Sequence, residues 1–319
     1  MDTQDKISDK HLPGPQEVNL FADLLVWTAR EAGSDCWAEV IHSDSSSSSN
    51  DLHEVHFKWD PGLRIGVGYG MKHDRWNTQA HYTWFKTRGT DHISSSPGTV
   101  HSSFLGNFYL NNPSGTGLSG PTYQKARILW TILFNLFDWE VGRNCWISRS
   151  VAMRPFLGAK AGWIHQSMHS KWEHPNLSSP QFFNLATENL KNNFWGIGPE
   201  FGINTKWILI SGQRQLFHLL GDFSGALMWG HWSFGDVFNN DLQQKILINL
   251  QDINSGAWTL RAFMGFGWDV HFSTQCLRTK LGYEMQFWFD QLQFYSFTGG
   301  RLDNELTLQG GTFEICFDF

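Results

Sequence analysis

The chain has 319 residues, of which 17% are charged and 49 are aromatic (17 Trp, 26 Phe and 6 Tyr). Soluble domains usually contain about 25% charged residues, so charge is scarce here. The most apolar run, residues 128–134, is far shorter than the roughly 20 residues that a membrane-spanning helix needs, which excludes a helical membrane protein. A disordered chain is poor in aromatic residues, and a formal net charge of −6 argues against nucleic acid as the partner. The remaining classes are a soluble β domain and a membrane β-barrel.

Alternation of apolar and polar side chains is the dominant signal along the chain. In chain order it predicts ten strands, at residues 20–31, 63–71, 76–87, 123–141, 151–163, 195–207, 215–232, 258–272, 277–289 and 305–319. The five cleanest of these, the second, fifth, sixth, eighth and ninth, have 34 positions on their apolar faces, and none is charged. Their opposite faces have 29 positions, with 10 charged residues and 11 glycines. This contrast predicts an all-β fold in which each strand has one apolar face.

Short connections alternate with long ones between these strands. Residues 72–75, 142–148, 208–214 and 273–275 are short connections, whereas residues 32–62, 88–122, 164–193, 233–256 and 290–304 are long. An outer-membrane barrel shows this alternation, because its periplasmic turns are short and its extracellular loops are long. We therefore expect a polar tail over residues 1–18 and a single transmembrane, antiparallel, up-and-down β-barrel of about ten strands over residues 19–319. Twelve strands are the alternative, if residues 36–41 and 55–59 form an extra hairpin.

Strand length and aromatic placement favour a membrane barrel over a soluble sandwich. The apolar stripes extend over 9 to 15 residues, whereas strands of globular proteins average about 5–6 residues. Indole rings lie at the stripe ends, where an aromatic girdle would meet the lipid headgroups. These residues are Trp163, Trp195, Trp207, Trp258 and Trp268. Ordinary core packing is the alternative interpretation of the same rings.

The last strand closes on an alternating aromatic pattern. Phe313, Ile315, Phe317 and Phe319 share one face and alternate with Glu314, Cys316 and Asp318. The pattern is similar to the C-terminal signal by which outer-membrane barrels are recognised for assembly, so we expect the barrel-assembly machinery as a partner. Residues 1–16 are polar and show no export signal, which departs from that expectation.

Several segments resemble one family, the pore-forming major outer-membrane proteins of Legionella and chlamydia-related bacteria. The similar segments are residues 27–31 (WTARE), 59–68 (WDPGLRIGVG), 138–144 (DWEVGRN), 154–158 (RPFLG), 195–198 (WGIG) and 306–310 (LTLQG), which leads to Phe319. The resemblance extends over about residues 20–319. It implies a single β-barrel in the outer membrane of a Gram-negative bacterium, with porin-like passage of ions and small polar solutes. Outer-membrane lipid and lipopolysaccharide would surround such a barrel.

Charged residues on the polar faces would line the interior of this barrel. The expected pore-lining residues are Arg64, Arg154, Lys160, Glu200, Arg261, Asp269, Arg278, Lys280 and Glu284. Charged rings of this kind set the ion preference of a channel. Ten strands give a narrow barrel, since barrels of about eight strands are filled by their own side chains, and we expect the lumen glycines to widen the bore. The alternative is that these charges pair across the lumen and seal it.

Catalysis and surface adhesion are the competing functions. Some ten-stranded outer-membrane barrels are proteases with acidic and His–Asp residues at the extracellular rim. Here the candidate residues in or beside long loops are His53, His56, Asp91, His92, His165, His169 and His174. The last three histidines could converge on a metal, but solvated loop histidines are far commoner. We therefore expect no enzyme, no metal and no cofactor, and adhesion through the long loops remains an alternative.

The four cysteines, Cys36, Cys145, Cys276 and Cys316, lie far apart in the sequence, which excludes zinc-ribbon spacing. Cys276 and Cys316 are both predicted to face the lumen on adjacent strands near the periplasmic rim. A disulfide between these two is therefore a hypothesis, and reduced, buried thiols are the alternative.

Overall fold

The computed structural model describes residues 18–32, 36–43, 48–71, 75–97, 99–103, 122–175, 183–243, 245–272, 275–296 and 300–319. Within these ranges the chain consists of β-strands joined by turns and short irregular segments. No helix in the described part of the chain is long and apolar enough to cross a membrane. The predicted polar tail covers residues 1–18, of which residues 1–17 lie outside the described part of the chain.

The described residues form fifteen strands, and ten of these strands make up the barrel. In chain order they are β1 (Val18–Glu31), β2 (Cys36–Ser43), β3 (Ser48–Glu54), β4 (His56–Phe57), β5 (Asp60–Gly70), β6 (Trp76–Ser94), β7 (Val100–Ser102), β8 (Lys125–Arg143), β9 (Cys145–Trp146), β10 (Val151–Glu173), β11 (Leu185–Ser211), β12 (Gln215–Asn240), β13 (Lys245–His271), β14 (Cys276–Ser296) and β15 (Gly300–Asp318). Antiparallel pairing follows the order β1–β5–β6–β8–β10–β11–β12–β13–β14–β15, and β15 pairs with β1 to close the ring. The predicted all-β, ten-stranded, up-and-down barrel is therefore confirmed.

The twelve-strand alternative is wrong, because residues 36–41 do not enter the barrel. Strand β2 pairs with β3 and β7 in a separate three-stranded sheet, and β4 pairs only with the extension of β6. The reason is the burial of Trp37, Ala38 and Val40, which pack inward with the apolar core instead of facing lipid.

Three of the predicted long loops are mostly continuations of barrel strands, which corrects their bounds. In one of them, residues 290–304, β14 continues to Ser296 and β15 begins at Gly300. Strand β10 continues to Glu173 and pairs with β11 from Leu185 onward, and β12 continues to Asn240 and pairs with β13 from Lys245. The inner face of these extensions combines buried apolar side chains, such as Met168 of β10, with buried polar ones, such as Glu188 of β11, while the outer face of β10 becomes polar. The outward side chains therefore cease to be apolar before these strands end, so the alternation of apolar and polar residues in the sequence stops short of the hairpin turns.

Alternate side chains of every barrel strand face opposite environments. On β1, Leu20, Leu24 and Val26 point outward and are about half exposed, whereas Asp23 and Leu25 point inward and are fully buried. Outward apolar side chains form the surface that a bilayer would cover. The end of the barrel with the short turns is the periplasmic end under the loop-length rule, and the opposite end is extracellular.

Candidate functional site: the barrel lumen

The lumen is polar in its periplasmic half. All nine expected pore-lining residues project into the barrel, where each makes an ion pair with an interior carboxylate or cation. The sequence analysis missed several of the partners, which are Asp23, His81, Asp138, Glu140, Lys206, Glu314 and Asp318. Asp23, His81, Asp138 and Glu140 lie on strands whose alternation is less clean, so no charge-poor face indicated their orientation. The alternation does place Lys206, Glu314 and Asp318 inward, and for these three only the pairing was not predicted.

Arg64 occupies the centre of one cluster of ion pairs. Its guanidinium donates to Glu284 Oε1 at 2.7 Å, to Asp23 Oδ2 at 2.9 Å and to Thr83 Oγ1 at 2.9 Å. Arg261 Nε donates to the same Glu284 oxygen at 2.9 Å. Arg64, Asp23 and Glu284 are at most 2% exposed, and a buried charge of this kind is tolerated only when it is paired and hydrogen-bonded.

A second cluster surrounds Lys160 on the other side of the lumen. Its ammonium lies 2.5 Å from Asp138 Oδ1 and 3.0 Å from Glu200 Oε1, and His81 Nε2 lies 2.9 Å from the other Asp138 oxygen. These contacts join strands β6, β8, β10 and β11 through charged groups. The charges therefore pair with one another across neighbouring strands instead of standing free along a bore.

A cavity of about 280 Å³ lies beside these clusters and extends to the periplasmic end. Its lining includes Arg154, Asn204, Asp222 and Lys280 inside the barrel, and Met71 and other residues of the periplasmic turns. At this mouth Lys206 Nζ donates to Asp269 Oδ2 at 2.6 Å, and Arg278 pairs with Asp318. The cavity has room for several water molecules.

The extracellular half of the lumen is closed by aromatic side chains. This aromatic layer consists of Trp27, Phe85, Phe134, Phe194, Trp232 and Trp288, each at most 2% exposed. The Trp288 ring centre lies 5.2 Å from that of Phe134 and 6.3 Å from that of Phe194, which in turn lies 4.8 Å from Trp232. The layer begins directly above the ion pairs, since the Arg64 guanidinium lies 5.7 Å from the Trp27 ring centre. Alternation along single strands did not reveal the layer, because its rings come together only through the pairing and closure of distant strands.

Lumen glycines make room for large side chains and do not widen the bore as expected. A Cβ atom on Gly162 would lie 2.9 Å from Trp288 Cη2, and one on Gly66 would overlap the Phe21 ring. Phe156 fills the space beside Gly202 in the same way. The expected widening is therefore wrong, since the space left by each missing side chain is already occupied.

The three-stranded loop sheet covers the extracellular end. Trp37 of β2 is fully buried against Trp172 of β10, with ring centres 5.4 Å apart, and Tyr123 lies 5.2 Å from the same Trp172 ring. Asp91 ties this sheet to β6, because its Oδ2 accepts from Trp37 Nε1 at 2.9 Å and lies 3.2 Å from His53 Nδ1.

The structure does not bring the candidate loop histidines together. His165 and His169 point outward from β10 and hydrogen-bond Asn193 and Asn189 on β11, while His174 lies beyond the end of β10. His56 pairs through its backbone with β6, on which His92 faces outward. Among the described residues no group of three His, Cys, Asp or Glu side chains could hold a metal ion.

The five girdle tryptophans all face outward and are 37–52% exposed. Trp163 and Trp195 are register partners toward the extracellular edge of the apolar belt, with Trp258 nearby, and Trp207 and Trp268 lie near the periplasmic turns. The four C-terminal residues of the expected assembly signal, Phe313, Ile315, Phe317 and Phe319, likewise point outward.

All four cysteines have free thiols. Cys316 faces Arg278 across the β14–β15 pair and Cys276 faces Asp318, so the two cysteines lie diagonally to each other. Diagonal Cβ atoms are about 7–8 Å apart or somewhat less, beyond the 3.5–4.5 Å of a disulfide. The structure therefore contradicts the hypothetical Cys276–Cys316 bond.

Solved structures show only remote similarity to this chain. The outer membrane protease OmpT of Escherichia coli is 10% identical, with 95% of this chain and 96% of that chain covered and a TM-score of 0.43. A Pseudomonas aeruginosa FadL homologue is 7% identical over 96% and 90% of the two chains, with a TM-score of 0.26. The Pseudomonas putida toluene transporter TodX is 8% identical over 98% and 91%, with a TM-score of 0.20. No curated protein matches the sequence.

The family comparison is specific and covers nearly the whole barrel. Residues 16–319 match the family described as the Legionella pneumophila major outer membrane protein precursor. Together with the closed barrel and its apolar outer surface, this match places the chain in the outer membrane of a Gram-negative bacterium. The chain belongs to the Legionella major outer membrane protein family.

Proposed function

We propose that this protein is a gated outer-membrane channel for ions and small polar solutes, and that the structure shows its closed conformation. The observation that carries the proposal is the division of the lumen. A charge-lined cavity reaches the periplasmic end, and it stops at the aromatic layer. Hydrophobic constrictions of this kind gate channels by excluding water.

The charged half of the lumen supports a polar cargo. Both cationic and anionic side chains lie around the cavity, including Arg154, Glu140, Lys280 and Glu314. Such a lining offers donors and acceptors that can replace part of the hydration shell of a small solute. It supports weak selectivity between anions and cations, since neither sign dominates.

A sealed structural barrel is the second candidate, and one observation favours it. Phe134 and Trp288 touch from opposite walls of the barrel, and the charged side chains below them are buried and held in ion pairs. Such a barrel would contribute to the envelope and display its loop sheet without conducting.

Efflux of a small fluorescent anion and of K⁺ from proteoliposomes distinguishes the two candidates. The gated channel predicts slow efflux through the wild-type protein and fast efflux through Trp288→Ala, in which the ring that crosses the lumen is missing. Trp258→Ala removes an outward-facing indole and serves as the matched control. Efflux through Trp288→Ala but never through the wild-type protein would favour the sealed barrel.

We also propose that the protein is not an enzyme. Two His–Asp pairs lie at the extracellular end in the described residues, the exposed His42–Asp51 pair of the loop sheet and His53–Asp91. The Asp91 oxygen of the second pair also accepts from the buried Trp37. This arrangement supports a structural role for Asp91 in holding the loop sheet. Cleavage of an unstructured peptide by the folded protein, abolished by Asp91→Asn, would contradict this proposal.

A further inference from the structure

A cluster of basic side chains lies on the outer surface of the barrel, on one side only. We define this basic patch as Lys86, Arg88, His92, Arg127, His165, His169, Lys171 and Lys191. Its members are on strands β6, β8, β10 and β11, and their side chains alternate with buried neighbours, so they point away from the lumen. None of them takes part in the lumen network.

Strand pairing places these residues in a compact grid. Arg88, Thr131, Ser167 and Lys191 are register partners across the four strands, and His92, Arg127, Lys171 and Thr187 form a parallel row. The four rows that begin at Lys86, Arg88, Thr90 and His92 contain 16 outward positions, of which five are Lys or Arg, three are His and none is acidic. Neighbouring strands are about 4.8 Å apart, so the grid is about 15 Å wide.

Like charges stand directly opposite one another in this grid. Arg127 is the register partner of Lys171, and like charges in facing positions destabilise a sheet. Among the described residues no carboxylate forms an ion pair with Lys86, Arg88, Arg127 or Lys191. Glu173 pairs with Lys171 at the outer edge, and this hydrogen bond, with weaker help from Arg127 and Lys125, holds the pKa of Glu173 below its usual range. The field over the patch is therefore positive, although the whole chain is acidic.

The depth of the patch matches that of a lipid headgroup. Trp84 of β6, Trp163 of β10 and Trp195 of β11 lie at the edge of the apolar belt. They share one register row, in which Asn135 is the β8 residue between Trp84 and Trp163. Lys86 and His165 come two residues beyond these indoles. With about 3.4 Å per residue and a strand tilt near 40°, two residues correspond to about 5 Å of height, so the patch begins immediately above the hydrocarbon.

The other side of the barrel has a different charge. Exposed or half-exposed outer residues at the extracellular ends of β14, β15 and β1 include Asp290, Asp303 and Glu305 beside Arg30 and Arg301. Burial and the negative charge of Asp303 raise the pKa of Asp290, which shows that two carboxylates lie near each other there. Cations and carboxylates are mixed on this side, whereas the 16 positions of the grid include no acidic residue, so the basic patch is a localised feature.

We propose that the basic patch binds the phosphorylated headgroup of a glycolipid of the outer leaflet, of the lipid A class, whose acyl chains lie along the apolar belt below it. Phosphates on a diglucosamine headgroup are fixed anions at the depth of Lys86 and Arg88, and the hydroxyls of Thr131 and Ser167 between the cations can donate to phosphate oxygens. Arg and Lys are the usual partners of phosphate in proteins. This inference does not depend on whether the lumen conducts.

Binding of defined lipids to the purified, detergent-folded protein tests the proposal. The probes are hexa-acylated lipid A with both phosphates, the same lipid without phosphates, and inorganic phosphate, measured by native mass spectrometry and thermophoresis. The patch variant combines Lys86→Gln, Arg88→Gln and Arg127→Gln. The matched control combines Arg30→Gln, Lys245→Gln and Arg301→Gln, which removes three outer cations elsewhere. A second patch variant, Lys86→Arg with Arg88→Lys and Arg127→Lys, keeps every charge.

We expect the wild-type, control and charge-conserving proteins to bind phosphorylated lipid A equally. The patch variant should bind it at least about tenfold more weakly, because each cation near an anionic surface contributes to binding, and the wild-type protein should bind the dephosphorylated lipid as weakly. Heat-modifiable gel mobility confirms folding of each variant. Equal binding of lipid A by the patch variant and the wild-type protein, or binding of inorganic phosphate as tight as that of lipid A, would overturn the proposal.

Discussion

The ring centres of Phe134 and Trp288 lie 5.2 Å apart in an edge-to-face contact. Phe134 belongs to β8 and Trp288 to β14, which are five places apart in a ring of ten strands and hence on opposite walls of the barrel. Together with the other buried rings of the aromatic layer, this contact across the barrel closes the lumen at that height. In the described part of the chain, the closed extracellular half is therefore a consequence of side-chain packing between the barrel strands.

The Arg64–Glu284 pair should be strongly coupled. Arg64→Met removes one of the two arginines that pair with the buried Glu284 carboxylate. We therefore expect a loss of about 3–5 kcal/mol in the free energy of unfolding. The double variant with Glu284→Gln should lose less than the sum of the two single variants. Urea unfolding in lipid vesicles measures each step of this cycle.

The exposed Lys171–Glu173 pair is the control for that cycle. Its side chains are 24% and 30% exposed, and an ion pair at such a site contributes about 0–1 kcal/mol. Additive losses in the Arg64–Glu284 cycle would show that the buried charges are solvated separately, contrary to the contacts described above.

Gly162 should be intolerant of a larger side chain. A Cβ atom added to Gly162 would lie 2.9 Å from Trp288 Cη2, so Gly162→Val forces either the backbone or the ring to move. We expect a loss of about 1–3 kcal/mol, the usual range for an overfilled site, measured by the same urea unfolding.

Ala161→Val is the matched control for this substitution. Ala161 is the neighbouring residue on β10, and its side chain points to the outer surface. Equal stabilities of the two variants would mean that Trp288 does not occupy the space beside Gly162.

The thiols of Cys276 and Cys316 should be free in the folded protein. Their diagonal placement keeps the sulfur atoms apart, and Arg278 Nη2 donates to Cys316 Sγ at 3.2 Å. Peptide mapping under non-reducing conditions should show both residues alkylated by a maleimide after unfolding. Recovery of a Cys276–Cys316 crosslinked peptide from freshly purified protein would contradict the register of β14 and β15.

Sequence periodicity predicted the barrel because lipid imposes one rule on every strand. Positions such as Leu63, Ile65 and Val67 must be apolar whatever side chains fill the lumen, so the outer face of each strand can be recognised in a single sequence. The inner face obeys no such rule. Phe134 and Ile132 fill the lumen while Leu133 faces outward, and this both-sided apolar run hides the alternation.

Contacts between distant strands could not be predicted from the sequence for a different reason. The pairing of Arg64 with Glu284 depends on barrel closure and on a register that one sequence does not specify. The basic patch was equally hidden, since Lys86, Arg127 and Lys191 are far apart in the chain and become neighbours only through the pairing of four strands. His165 is one of the candidate loop histidines in the sequence. Its outward direction follows from the extension of β10 past its predicted end at residue 163.

Single-channel recording in planar lipid bilayers tests the gating proposal most directly. We predict that the wild-type protein shows brief, infrequent current steps separated by long closed periods, and that Trp288→Ala and Phe134→Ala remain open for most of the recording with larger steps. Heat-modifiable mobility establishes that both variants fold. A wild-type protein that stays steadily open, with a conductance that the two substitutions leave unchanged, would contradict closure of the lumen by the aromatic layer.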